Sequence, residues 1–247
     1  MVYYKYKKEK LEEKFLESKV FLVKIRECIK RNIDGEDDII NEAMISYFNS
    51  LGIYNYIQCF KTKHSNGGLS KYSYIKQDII KIIYETDVVV TTLLDFYRLP
   101  SDFPGYKQNN ALPHDRWVEI IEGQIKEDIE RTQEQRFDNF IPYIQLHEFE
   151  ALIFSSIAGI DALFEKSEVK YRDFQAVIDS YPNPENINNG PDSAPSVRLK
   201  QLIPGYDKVV YGVGIISEIG METVLSRCPR FNGWIKKLKD ALNETNL

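Results

Sequence analysis

Apolar residues along the chain recur with two periods. Short runs of β-branched and aromatic residues, the pattern of buried strands, fall at Val20–Ile25 (VFLVKI), Tyr54–Lys61 (YNYIQCFK), Asp87–Tyr97 (DVVVTTLLDFY) and Phe140–Leu146 (FIPYIQL). Between them the spacing turns helical. Ile40, Ala43, Met44, Tyr47 and Phe48 share a face over Ile39–Leu51, Ile75, Ile79, Ile80 and Ile83 over Tyr72–Tyr84, and Trp117, Ile120, Ile121, Ile125 and Ile129 over His114–Thr132. Residues 5–18 are charged and helix-favouring, with a narrow stripe of Leu11, Phe15 and Leu16, and VFLVKI can also be read as continuing that helix. Strand and helix thus alternate through the first 154 residues, which predicts an α/β fold with a mostly parallel sheet flanked by helices and right-handed crossovers. Beyond Phe154 the pattern predicts a helix over Phe164–Asp179, a Pro/Asn/Gly loop over Tyr181–Pro195, a short helix beginning at Ser196, and a helical run over Met221–Leu242 with Trp234, Ile235 and Leu238 in period. The expected organisation is an N-terminal helical extension (1–18), an α/β core (19–160) and a mostly helical C-terminal region (161–247) packed on that core.

Polar residues at the ends of the predicted strands carry the candidate chemistry. Asp95 closes the strongest strand, and in open α/β sheets ligands gather outside the carboxyl ends of parallel strands. A cap or turn residue is the other reading of Asp95, but Arg98 and the Pro-stiffened loop RLPSDFPGY follow where a cap would lead into a helix. His147, Glu148 and Glu150 arrive directly after the apolar Phe140–Leu146 run. A carboxylate flanked by core-forming sequence must be solvated, paired or on a metal, because an unpaired buried charge is costly. In IDGEDD (33–38) the acids either complement the dipole of the next helix or set a metal-binding carboxylate, Asp34, at a strand-turn-helix junction. Several carboxylates with no Cys and little His favour Mg2+ or Mn2+. At the start of the helix at Ser196, backbone N–H groups and Arg198 could hold a phosphate; a helix cap with an exposed Arg is the alternative. His64, in the loop TKHSNGGL, reads as a surface residue, and YGVG (211–214) lacks the spacing of a dinucleotide loop.

Composition narrows the partners. Lys and Arg total 32 against 37 Asp and Glu, a formal charge of −5, which argues against a generic cationic coat for nucleic acid and leaves room for a local basic patch. Cys28, Cys59 and Cys228 are too far apart for a zinc ribbon or a disulfide framework, so buried free thiols are expected. No apolar run approaches the roughly 20 residues that a bilayer requires, and the charged opening MVYYKYKKEKLEEK is unlike a signal peptide. The expectation is a cytoplasmic protein with no membrane partner.

Four segments carry a resemblance: LLDFYRLPSDFPG, RFDNFIPYIQLHEFEALIF, PENINNGPDSAPSVRL and CPRFNGWIKKL. Over roughly residues 30–240 they resemble the bacterial domain-of-unknown-function family 4276, regarded as TOPRIM-like, the metal-binding fold of topoisomerases, primases and overcoming-lysogenisation-defect nucleases. The resemblance implies a TOPRIM-like Mg2+-dependent nuclease domain, often encoded beside an ATPase in phage-defence loci, with DNA or RNA as substrate. It places Asp95 at the family's strand-end Asp, and His147, Glu148 and Glu150 at its H-E-x-E motif. Family members usually carry V-E-G-x-T-E near the N-terminus; here IDGEDD is the nearest segment, with Asp34 in place of the first Glu and Asp38 matching the second, while Glu27 after VFLVKIR is the alternative. Asp95-Phe96-Tyr97 stands where TOPRIM relatives have D-x-D, so Glu148 or Glu150 would supply the second acid. The implied roles are Asp95, Glu148, Glu150 and Asp34 on the metal, Asp34, Asp95 and Glu148 in catalysis, Arg98 or Arg198 on phosphate, and His147 in support. The alternative function is a catalytically degenerate subunit that binds a partner.

Overall fold

The computed structural model describes residues 20–27, 39–61, 71–107, 112–187, 190 and 192–244. The helix expected over 5–18, Asp34, Asp38 and the His64 loop lie outside them. The described chain divides into two compact units, one holding 39–47 and 147–233, the other 20–27, 48–146 and 234–244.

The second unit is built on one sheet. Its strands are β1 (Val20–Glu27), β2 (Asn55–Lys61), β3 (Val88–Asp95), β4 (Phe140–Ile141) and β5 (Ile144–Gln145), in the order β2-β1-β3-β4 with β5 also on β3. β3 runs parallel to β4 and β5, whereas β1 is antiparallel to both β2 and β3, with Val23 opposite Cys59 on one side and Thr91 on the other. Four strands therefore share a direction, as the alternation of strand and helix implies. The reversed β1 between them makes the sheet mixed, a departure from the mostly parallel expectation.

β3 is buried along its whole length. Its alternate residues serve two faces, as the two-residue period of a strand requires. Val88, Val90 and Leu94 join one apolar cluster with two helices, α2 (Tyr72–Ile82) and α3 (His114–Gln133). α2 contributes Ile75 and Ile79, four residues apart, and the residue just past it, Ile83; α3 contributes Ile121, Ile125 and Ile129. Ile120, expected on that face, is instead exposed and Val118 takes its place. The two helices are tied by Asp128, which accepts from the Tyr72 hydroxyl at 2.8 Å and pairs with Lys76 Nζ at 2.6 Å. The loop at 98–106 is anchored rather than slack: Leu99 and Phe103 are buried, and the Asp102 carboxylate accepts the Tyr72 N–H at the start of α2.

The expected strand over Phe140–Leu146 is broken into β4 and β5 at Pro142, which has no N–H for a ladder. Thr92 bridges the break: its Oγ1 accepts the Tyr143 N–H at 2.9 Å and donates to the Tyr143 carbonyl at 2.9 Å. The Thr91 hydroxyl donates to the Ile141 carbonyl and accepts from the Trp234 indole N–H at 2.8 Å. Trp234 also stacks on Tyr143, with ring centroids 4.5 Å apart and planes within 7°. These uses explain two fully buried threonines in an otherwise apolar strand.

The first unit is helical. It holds most of α1 (Ile39–Ser50), a 3-10 helix (Phe149–Ser155), α4 (Ala158–Leu163), α5 (Tyr171–Ser180), α6 (Pro195–Leu202), α7 (Lys208–Ile219), α8 (Met221–Arg227) and the start of α9 (Pro229–Glu244). The helix expected over Phe164–Asp179 begins only at Tyr171, because 164–170 forms a turn held by other bonds. The Glu165 N–H goes to the Glu168 carboxylate, and the Lys170 N–H reaches the Leu202 carbonyl at 2.8 Å. YGVG lies inside α7 rather than in a loop before it. Pro229 divides the C-terminal run into α8 and α9. Among the described residues no helix is long and apolar enough to cross a membrane.

Candidate functional site

Asp95 is the last residue of β3 and is buried, 7% exposed. Its Oδ1 accepts the Tyr97 N–H at 3.1 Å, capping the one-turn 3-10 helix Phe96–Arg98 at this strand end. Tyr97, at the position where an acid would make D-x-D, turns outward at 44% exposure, and its hydroxyl lies 3.1 Å from His114 Nδ1. Burial first, and the Asp95 charge second, push that phenol above its ordinary range. Asp95 is paired in register with Gln145, the last residue of β5. The Arg98 and Glu27 side chains, like Asp34, are outside the described set.

Three residues after Gln145 on the chain comes Glu148, which belongs to the helical unit. His147, Glu148 and Glu150 are all buried, at 5%, 8% and 2% exposure. Glu148 leads into the 3-10 helix, its carbonyl accepting the Ala151 N–H at 2.9 Å, and its Oε2 accepts the Ser196 N–H at 2.9 Å. One carboxylate oxygen therefore sits at the N-terminus of α6, where helix N–H groups favour negative charge. That contact occupies the Ser196 N–H that the sequence offered to a phosphate, and the Arg198 N–H is spent on the Ala194 carbonyl. The Arg198 side chain, half-buried, donates from Nε to the Ser193 carbonyl at 2.8 Å and lies 5.6 Å over the Tyr181 ring. This grip leaves the terminal guanidinium nitrogens without a hydrogen-bond partner among the described residues.

Two buried groups escaped the sequence reading. Glu185, fully buried inside the Pro/Asn loop, accepts the N–H groups of Arg230 at 2.9 Å and Phe231 at 3.0 Å, in the first turn of α9. Burial raises its carboxyl above the ordinary value, while the two N–H bonds and the Arg230 charge oppose that shift. Tyr206, 7% exposed, lies in the turn between α6 and α7, and its hydroxyl has no hydrogen-bond partner among the described residues. Burial, and then the charges of Glu150, Asp207 and Glu148 in that order, push its ionisation above the ordinary range. The only sequence signal for Tyr206 is the Pro204-Gly205 turn before it; Glu185, amid Pro and Asn, reads as a surface acid.

The structure thus brings Glu148 together with the α6 start, within one unit, while Asp95 belongs to the other. Among the described residues no group of three or more His, Cys, Asp or Glu stands close enough to hold a metal ion. The donor chemistry of Asp95, Glu148 and Glu150, oxygen throughout, fits a hard divalent cation.

A family model described as a domain of unknown function, DUF4276, matches residues 34–239. The chain belongs to the DUF4276 family. The match begins at Asp34 and takes in Asp95, the 147–150 motif, Arg198 and Tyr206, while Glu27, the alternative to Asp34, lies before it. No curated protein and no solved structure matches the chain.

Proposed function

We propose that this DUF4276 protein is a TOPRIM-like metal-dependent nuclease that hydrolyses phosphodiester bonds of DNA or RNA. The reading rests chiefly on one observation: Asp95 is a buried carboxylate at the carboxyl end of β3, beside the end of its parallel neighbour β5. That is where α/β sheets bind ligands. The acids that the family resemblance implies for Mg2+ or Mn2+ are Asp95, Glu148 and Glu150, with Asp34 as a further acid. The bound cation supplies Lewis-acid polarisation of the phosphate and a more acidic water. The chain's own part is positional. Capping by Asp95 of its own turn fixes that carboxylate at the strand end, and the α6 N-terminus fixes one oxygen of Glu148. Arg198, gripped through Nε, presents its outer nitrogens to a phosphate oxygen, a bidentate arrangement that suits guanidinium. The wider reading, action in prokaryotic antiviral defence beside an ATPase partner, rests on the TOPRIM-like resemblance, and a cytoplasmic location on the sequence's lack of a long apolar run.

The competing reading is a degenerate subunit that binds a partner without catalysis. It is favoured by the absence of a three-ligand group among the described residues and by the capping duties of Asp95 and Glu148, which are structural uses for both acids. Calorimetric titration of Mg2+ and Mn2+ into the wild type, Asp95→Asn and Glu148→Gln separates the two. The nuclease reading expects saturable binding that both substitutions weaken at least about tenfold, the loss of roughly one charge-assisted contact. Absence of binding by a folded wild type supports the degenerate subunit.

A further inference from the structure

Arg198 and Arg227, both half-buried in the helical unit, are held by main-chain carbonyls and not by acids. Arg198 donates from Nε to the Ser193 carbonyl at 2.8 Å. Arg227 donates from Nε to the Pro182 carbonyl at 2.7 Å, and from Nη2 to the carbonyls of Ile178 and Tyr181, each at 3.4 Å. Arg116 and Arg131, by contrast, each pair with a carboxylate on their own helix. Neither Arg198 nor Arg227 has an acid within 4.0 Å among the described residues, although Asp and Glu outnumber Lys and Arg in the chain by 37 to 32. The two arginines meet at one residue. Arg198 Cζ lies 5.6 Å from the centre of the Tyr181 ring, and Arg227 Nη2 lies 3.4 Å from the Tyr181 carbonyl oxygen. With both contacts on a single tyrosine, ordinary bond lengths keep Arg198 Cζ and Arg227 Nη2 at most about 15 Å apart. Capping accounts for part of Arg227, because a cation at the last carbonyls of α5 suits the helix dipole. That duty engages Nε and Nη2 and leaves Nη1 without a hydrogen-bond partner among the described residues, as are both terminal nitrogens of Arg198. A guanidinium already fixed in place loses little freedom on binding, and its planar fork matches phosphate. Two such groups on one residue, neither neutralised, call for a ligand that carries more than one phosphate.

We propose that Arg198 and Arg227 form a two-phosphate site, in which the outer nitrogens of each guanidinium hold a different phosphate of one nucleic-acid strand. The site rests on the nucleic-acid part of the proposed function and deepens it: Arg227 joins Arg198 as a binding residue, and the strand is held by its backbone, without regard to base sequence.

Salt dependence tests this directly, because each phosphate contact releases counterions from the strand. Binding of a short, fluorescently labelled single-stranded oligonucleotide is followed by polarisation in EDTA, between about 50 and 200 mM salt. The full chain is compared as wild type, Arg198→Gln, Arg227→Gln and Arg227→Lys. Each Gln variant is expected to bind about tenfold more weakly, and to flatten the slope of log K against log salt by about 0.7, the share of one phosphate contact on a single strand. Arg227→Lys keeps the charge and is expected to keep most of the slope. No binding by the wild type, or a slope unchanged in Arg227→Gln, would overturn the proposal. So would a slope flattened as much by Arg227→Lys as by Arg227→Gln, which would assign the residue to capping of α5 alone. Displacement of the strand by equimolar ATP would put a free nucleotide in its place and overturn it too. Binding of the expected pattern without any cleavage in Mn2+ would remove the nuclease reading and leave this site standing. Cleavage lost in Asp95→Asn, with strand binding indifferent to Arg227, would do the reverse.

Discussion

The Glu185 carboxylate offers the sharpest test of how the helical unit is held. It is fully buried and its two oxygens accept the Arg230 and Phe231 N–H groups at 2.9 and 3.0 Å. Replacing it by Ala leaves two donors at the α9 N-terminus unmet and opens a small void. Each bond to a charged acceptor is worth about 1.5–3 kcal/mol, and the cost of burying the charge offsets part of that sum. The expected net loss for Glu185→Ala is about 2–4 kcal/mol, or roughly 5–15 °C in Tm for a chain of this size. Glu185→Gln keeps one acceptor, sets its amide nitrogen against the other N–H, and sheds the buried charge, so its loss is about 1–2 kcal/mol. The pH dependence has a definite sign. The folded-state pKa is raised above the ordinary 4.5, with burial as the main cause, so the folded chain holds the proton more tightly than the unfolded one. The stabilisation from protonation is complete below about pH 4.5 and is lost as pH rises through the folded value. The gap between wild type and Glu185→Gln should therefore widen on acidification towards pH 4.5. Urea unfolding followed by far-UV circular dichroism at several pH values measures it. Equal midpoints for wild type and Glu185→Ala, or a wild type to Glu185→Gln gap that shrinks on acidification, would refute the reasoning.

Three further outcomes follow from the packing. Gly159 lies where a Cβ would come within 2.5 Å of the Ile215 carbonyl oxygen and 2.7 Å of the Ile215 Cγ2, so Gly159→Ala should force α4 off α7 and cost about 1–3 kcal/mol or more, read as a lowered Tm. Thr92→Val keeps the side-chain shape but strips both bonds that bridge the break at Pro142; a loss of about 1–3 kcal/mol is expected in chemical unfolding. Cys228 is buried, its thiol pushed up to about 12 mainly by burial, so peptide mapping after iodoacetamide at pH 8 should find it unmodified in the native protein and alkylated in urea.

Much of the fold was legible because periodicity reports burial directly. The isoleucines of α2 and α3 and the continuous apolar run of β3 each predicted their element within a few residues. The failures have physical causes in contacts distant along the chain. Pro142 broke a strand that its neighbours' hydrophobicity suggested, and Thr92, fifty-one residues before the Tyr143 it bonds, carried the repair. The helix expected from Phe164 starts only at Tyr171, after a turn whose Lys170 N–H bonds to Leu202, a partner no local window contains. The reversal of β1 is a matter of strand direction, which apolar patterning does not encode. At the candidate site, Asp95, Glu148 and Glu150 stood out because acids beside apolar runs are conspicuous. Tyr206 did not, because a tyrosine in a Pro-Gly turn signals nothing until burial and its neighbours are known. Arg198 was found for its charge, but its anchoring to Ser193 and Tyr181 appears only in three dimensions.

The proposed role of Asp95, at the carboxyl end of β3, is in metal-dependent phosphodiester hydrolysis. Its most direct test is an endpoint cleavage assay on end-labelled single- and double-stranded DNA and RNA, with protein stripped by EDTA and then supplied with Mn2+ or Mg2+. The account predicts cleavage that requires the added cation and falls at least about a hundredfold in Asp95→Asn, a loss of the order expected when a charged group that stabilises the transition state is removed. Cleavage by Asp95→Asn at the wild-type rate, or none by a folded wild type with any of these substrates and cations, would contradict it.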